Sequence, residues 1–234
     1  MRRIAVLGYH KIGLRPDGRT SWFYIPERTF ERQLQWIQDG GWRVIGVQAF
    51  LAALASPDSL PERSLLLTFD DGYRSMRDGA VPLLRERDWP AVLFVPTGFV
   101  GGWNDFDRGI EPEEPICGWD DLLNLERDGV SIQSHGVCHR PLSSLDEQEL
   151  DREVGDSKRL LESRMNRPVE LFSYPYGDCG KDQGVSATAL RRAGYKAAFG
   201  FGGSPMTLPI VNAYRVERVA VGPDTDLAVE LGRA

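Results

Sequence analysis

Cysteine and histidine are both scarce, at three each in 234 residues. Cys117, Cys138 and Cys179 are an odd number, none sits in a CxxC pair, and a chain of this length holds a core without disulfides. A reducing, cytoplasmic setting is the expectation. No apolar run approaches the roughly 18 residues that cross a bilayer, and Ile4–Gly8 falls short of the apolar core of a signal peptide. Lys and Arg form no block along one segment, and 28 of them against 34 Asp and Glu leave a net charge of −6, which argues against a nucleic-acid partner. Neither GxGxxG nor GxxxxGK occurs, so a doubly wound nucleotide-binding fold loses its main support. The 25 glycines and 15 prolines are dispersed without period, which removes collagen-like and disordered classes.

What remains is a globular pattern, 41% hydrophobic, whose size suits one core and hence a single domain over residues 1–234. Apolar, β-rich runs fall at Ile4–Gly8, Arg43–Val47, Ser64–Phe69, Ala91–Val95, Val130–Gln133, Val169–Tyr174, Lys196–Phe201 and Tyr214–Val221. Helical spacings lie between several of them, as in Phe30, Leu34 and Ile37, or Leu150, Val154 and Leu161. Alternating strands and helices imply a parallel sheet. Seven to eight such strands in this length predict an α/β fold, a distorted (β/α) barrel. In a parallel barrel the chemistry sits just beyond the C-terminal ends of the strands. All three histidines, His10, His135 and His139, occur there.

Asp70 and Asp71 close the run Leu65–Phe69, ahead of Gly72. Alternation along an extended chain would point the two carboxylates opposite ways, leaving one to bind a metal and the other free as a base. An Asp-Asp-Gly turn is the plain reading of those residues taken alone. His135 and His139 are four apart, which on a helical turn places both imidazoles on one side. With Asp71 they would form a His₂Asp set that leaves a coordination position open for water and substrate.

Thr68-Phe69-Asp70-Asp71-Gly72, Ser134-His135-Gly136-Val137-Cys138-His139 and Phe172-Ser173-Tyr174-Pro175-Tyr176-Gly177 occur in an order and spacing that resembles the polysaccharide deacetylases of the NodB-homology group, carbohydrate esterase family four. Tyr9-His10-Lys11-Ile12 and the LRRAGYKA segment from Leu190 agree with it. The resemblance implies a NodB-type barrel and a metal-dependent hydrolase that removes an N-acetyl group from an amino sugar, on a polysaccharide, an oligosaccharide or a glycosylated small molecule. It implies that Asp71, His135 and His139 hold one divalent ion, zinc first and cobalt, nickel, iron or manganese as alternatives. Asp70 is then the general base, and the Tyr176 backbone N–H helps to hold the oxyanion. Rival readings are a non-catalytic sugar-binding relative, an O-acetyl esterase or deformylase acting on a small or lipid-linked sugar, and a glycosidase with paired carboxylates, which would give the histidine pair no role.

Two departures from the family pattern stand out. No histidine follows His139, so the usual C-terminal acid is missing; Asp70 is the first choice to return its proton to the leaving amine, with water or another side chain, such as His10, as the alternatives. Ser173 stands where an arginine usually orients the base, a role open to Arg215 or Arg218. His10, Trp119 and Tyr174 complete the candidate substrate or supporting residues. Oligomeric state leaves no mark in the sequence.

Overall fold

The computed structural model describes residues 2–232. Its strands are β1 (Arg3–Tyr9), β2 (Lys11–Ile12), β3 (Tyr24–Ile25), β4 (Arg43–Val44), β5 (Arg63–Phe69), β6 (Ala91–Val95), β7 (Val130–Ser134), β8 (Leu171–Ser173), β9 (Ala197–Phe199), β10 (Met206–Thr207) and β11 (Val219–Ala220). The helices are α1 (Glu27–Asp39), α2 (Val47–Ala55), α3 (Val81–Arg85), α4 (Trp119–Arg127), α5 (Glu147–Met165), α6 (Gln183–Ala193) and α7 (Leu227–Gly232).

The main sheet runs β10-β1-β5-β6-β7-β8-β9, parallel except for β10, with β4 added beside β5 and β11 beside β1. Val216 bridges in parallel to Phe199 of β9, while Leu7 and Gly8 of β1 pair with Val219 and Ala220. One short segment therefore links β9, the last strand of the path, to β1, and the sheet curls into the distorted barrel expected from the alternation of elements.

Both faces of the central strands are apolar, as parallel sheets require. Ala5, Leu7, Leu65, Leu67 and Leu93 pack with Phe30, Leu34 and Ile37 of α1, Leu122 of α4 and Val154 and Leu161 of α5. Ile4, Val6, Leu66, Val92 and Phe94 form the opposite face with Phe199, Val216 and Phe50 of α2. Near the C-terminal end of β1, Gly8 leaves room for a neighbour: a Cβ there would lie 2.9 Å from the Phe201 ring.

Arg43–Val47 is not one strand. Pairing stops at Val44, and after Gly46 the Ala-rich segment Val47–Ala55 forms α2, burying Val47, Phe50 and Ala53 at a three-residue period. Tyr214–Val221 shortens to β11, and Val169–Tyr174 and Lys196–Phe201 shorten to three residues each, because strands that curl away from one another keep few ladder bonds.

Candidate active site

β5 ends at Phe69, and both aspartates lie beyond it. Asp71 is left-handed at φ 71° and Gly72 follows at φ 76°. Strand alternation no longer applies there, so both carboxylates line one cavity of about 310 Å³ instead of pointing apart. The His135–His139 stretch is not a helical turn either. It is an irregular loop after β7, with Gly136 at φ 80° and His139 at φ 52°. Glu153, buried on α5, shapes this loop by accepting the backbone N–H groups of Val137 (2.6 Å) and Cys138 (3.0 Å). Five described non-glycine residues have positive φ, and three of them are Asp71, His139 and Tyr176. Each left-handed residue costs about 1–3 kcal/mol, and such strain persists where the surrounding structure imposes a functional geometry.

His139 Nε2 lies 3.1 Å and His135 Nε2 3.4 Å from Asp71 Oδ1. Ligand atoms of all three fall within 4.8 Å of one another, and all three residues are buried. His135 Nδ1 donates to the Ser173 carbonyl at 2.8 Å, which leaves the Nε2 lone pair directed at the cluster. Asp71 Oδ1 is buried yet makes no hydrogen bond. A buried carboxylate oxygen without a donor, facing two imidazole nitrogens, is what a divalent cation satisfies. The residues fit a metal. Burial by itself would raise the Asp71 pKa, but His139 and His135 override it and hold the carboxyl well below its usual range.

Asp70 has a different partner. Arg218 grips it with two parallel bonds of 2.7 Å, Nη1 to Oδ1 and Nη2 to Oδ2. The remaining guanidinium hydrogens reach Thr68 Oγ1 (3.1 Å), Ser173 Oγ (2.8 Å) and the Gly200 carbonyl (2.5 Å), so every N–H of a fully buried arginine is used. The arginine of the site thus comes from the segment closing the sheet, and Ser173 leaves it space and an acceptor. Burial pushes the Asp70 pKa up, while Arg218 and then His135 outweigh that and lower it below the usual 3.8.

Arg218→Met leaves Asp70 buried and uncompensated, so a loss of about 3–5 kcal/mol of stability is expected. The pH dependence reverses sign. In the parent, the lowered Asp70 pKa contributes stability that is present above pH 3.8 and fades as pH falls through the folded value. In the variant the burial effect dominates, so ionising Asp70 costs stability and the gap to the parent widens as pH rises from 4 to 7. Denaturant melts at both pH values check this; equal gaps would contradict it.

Other candidates divide clearly. His10 lines the cavity between the rings of Phe23 and Phe201, at 5.2 and 5.0 Å; burial lowers its pKa, and its Nδ1 has no partner. Tyr176 is 58% exposed at the cavity rim, its ring 4.6 Å from that of His139. Arg215 is exposed and does not line the cavity, because Arg215 and Glu217 point outward where Val216 and Arg218 point in. Trp119 opens α4 and packs on the core under Arg164, 5.1 Å from its ring, also away from the cavity. Tyr174 is buried, its hydroxyl donating to the Tyr214 carbonyl, and it supports the fold instead of facing substrate. The sequence reading missed Lys11, Trp22, Phe23, Tyr73, Asp107, Glu111 and Phe201, all of which line the cavity.

The family model described as polysaccharide deacetylase matches residues 58–198. The chain belongs to the polysaccharide deacetylase family. Among its relatives, YxkH of Bacillus subtilis (strain 168) is 24% identical over 194 residues, 83% of this chain and 63% of that protein, so the chain spans less than two thirds of that relative's length. Poly-beta-1,6-N-acetyl-D-glucosamine N-deacetylase of Staphylococcus aureus (strain N315) is 22% identical over 214 residues, 86% of this chain and 69% of its own. Among solved structures, IcaB from Ammonifex degensii superposes with a TM-score of 0.80 at 25% identity, covering 96% of this chain and 94% of its own. The Streptococcus pyogenes deacetylase PplD in complex with acetate gives a TM-score of 0.82 at 21% identity, over 95% and 93%, a likeness of fold. His10, Lys11 and Arg218 lie outside the stretch that the family model matches, although the fold brings them to the same cavity and its floor.

Proposed function

We propose that this polysaccharide deacetylase-family chain is a metal-dependent hydrolase that removes the N-acetyl group of an acetylated amino sugar. The observation that carries the reading is the division of labour between adjacent aspartates. Asp71 joins two histidines with an unsatisfied oxygen, while Asp70 is pinned by Arg218 and stays out of that set.

Asp71, His135 and His139 would hold one divalent ion. Zinc is the first choice for two imidazoles and a carboxylate; cobalt, nickel, iron and manganese suit the same donors. When bound, such an ion lowers the pKa of water toward about 7 and polarises a carbonyl. Asp70, kept ionised by Arg218, takes the proton of the attacking water and passes it to the departing amine. The bidentate pair fixes its orientation, as a base needs. Tyr176 supplies a backbone N–H to the oxyanion: Pro175 has none, while those of Tyr174 and Gly177 are occupied by Phe199 and Tyr174 carbonyls. Both aspartates and both histidines are present, which favours an enzyme over a sugar-binding relative. The three free cysteines support a reducing, cytoplasmic setting within the same proposal.

A screen of acetylated amino sugars by mass spectrometry, with each divalent metal in turn, tests the reading. The expected result is loss of an acetyl group from at least one N-acetylated sugar and release of acetate. Cleavage of a glycosidic bond instead would refute it.

A further inference from the structure

Lys11 lines the same cavity but has no part in the arrangement above. It is 2% exposed, and its Nζ lies 4.7 Å from the ring centre of Tyr24 and 4.5 Å from that of Tyr73. Both rings are fixed by their hydroxyls, Tyr24 donating to Glu114 and Tyr73 to Asp107, each at 2.9 Å. Among the described residues, Nζ forms no hydrogen bond and no ion pair. An ammonium has three donors and no acceptor. Cation–π contact offsets part of its desolvation, but three N–H groups facing only π surfaces and a cavity leave hydrogen-bonding capacity directed at whatever enters.

The surroundings decide what that is. With Asp71 assigned to the metal, Asp107, Glu111 and Glu114 remain as the carboxylates that act on Lys11, and they outnumber its ammonium. Glu111 is engaged by Ser21 Oγ at 2.8 Å and by Arg15 at 3.6 Å, and Glu114 by Tyr24. An ammonium already faced by three carboxylates has little charge left for a further anion, whereas its N–H groups still suit a neutral acceptor. Asp107, on the same wall, accepts from Tyr73 through Oδ2 alone, which leaves Oδ1 an acceptor without a side-chain donor. A hydroxyl both gives and takes a hydrogen bond.

We propose that Lys11 and Asp107 form a hydroxyl-binding subsite that takes two neighbouring free hydroxyls of an uncharged acetylated sugar, Lys11 donating to one and Asp107 accepting from the other. This rests on the deacetylase reading and narrows it to neutral amino sugars whose hydroxyls beyond the acetamide are unsubstituted. A sugar carrying a carboxylate ether at that position loses the free hydroxyl and brings a negative charge toward Asp107 and Glu111.

The test uses the metal-loaded full chain and four probes: the methyl glycoside of an N-acetylglucosamine disaccharide, its 3-deoxy and 4-deoxy analogues, and its 3-O-lactyl ether. Wild type is expected to lose about 10- to 100-fold in kcat/KM on a deoxy analogue, mostly through KM, as for a lost hydrogen bond to a charged group, and to disfavour the lactyl ether. In Lys11→Met, KM for the parent sugar rises by a similar factor and the discrimination against one of the two deoxy analogues, the one lacking the hydroxyl that Lys11 bonds, falls to about threefold or less while the other, bonded by Asp107, keeps its penalty, a change that a purely structural lysine would not produce. If Lys11→Met does not fold, judged by its thermal melt and metal content, the wild-type ratios alone decide. Deoxy analogues as good as the parent, discrimination against both analogues that survives unchanged in Lys11→Met, or preference for the lactyl ether overturns the subsite while leaving deacetylation in place. No deacetylation of any acetylated sugar overturns the deacetylase reading and the subsite together.

Discussion

Asp70→Asn is expected to keep its metal and lose turnover by about 10²–10⁴-fold, the range for removing a general acid–base group. The metal stays because the converging atoms belong to Asp71, His135 and His139, and Asp70 Oδ2 is 4.0 Å from the nearest of the imidazole nitrogens. Turnover falls because an amide accepts no proton from water at neutral pH. The variant also turns an NH₂ toward one arm of Arg218, replacing a charge-assisted bond with donor against donor. A lower melting temperature is therefore expected beside the kinetic loss. Elemental analysis and kcat measured on one preparation separate the two effects. An Asp70→Asn protein that purifies without metal would mean that the roles of the two aspartates are exchanged.

Stripping the metal with a chelator is expected to abolish activity, and adding back a divalent ion to restore it. His139→Ala should lose metal affinity by more than the roughly 10–100-fold that removal of an outer hydrogen-bond partner costs. The His139 ring packs between Phe106 at 4.2 Å and Tyr176 at 4.6 Å, and its Nδ1 has no partner to orient it. The sign of the pH dependence follows from His135. Burial lowers its pKa, but Asp70 and Asp71 outweigh that and raise it above 6.5 in the metal-free chain. Protons therefore compete with the ion, and apparent affinity climbs as pH increases through and beyond 6.5. Titration of stripped protein with zinc at pH 6 and pH 8 measures this. Affinity independent of pH, or stoichiometric metal in His139→Ala, would contradict the assigned ligands.

These groups were legible in the sequence because each depends on local order. Asp70-Asp71-Gly72 and His135 to His139 sit immediately after apolar runs, where a parallel strand delivers its end to the site. Choosing Arg218 over Arg215 needed only the two-residue period: Arg215 and Glu217 share a polar side, and Val216 and Arg218 share the buried one. Lys11, Trp22, Asp107 and Phe201 were not legible. They lie on segments brought together by tertiary folding, and nothing in their spacing says which loop will fold over which strand. Trp119 misled for a related reason, since an aromatic at a helix start reads the same whether it meets a sugar or, as here, an arginine from another helix. Val47 was assigned to a strand because an apolar β-branched residue after an extended run carries no sign of the Gly46 break.

The segment from Val216 to Ala220 has a consequence for how the molecule comes to life during synthesis. Arg218 must reach an aspartate that left the ribosome some hundred and fifty residues before it. Until that late stretch slots between β9 and β1, the nascent barrel has its histidines and both carboxylates but no counter-charge for Asp70. The segment that closes the sheet and the counter-charge that steadies Asp70 are therefore one and the same, so any change that loosens the pairing of Val216 to Ala220 also loosens the carboxylate.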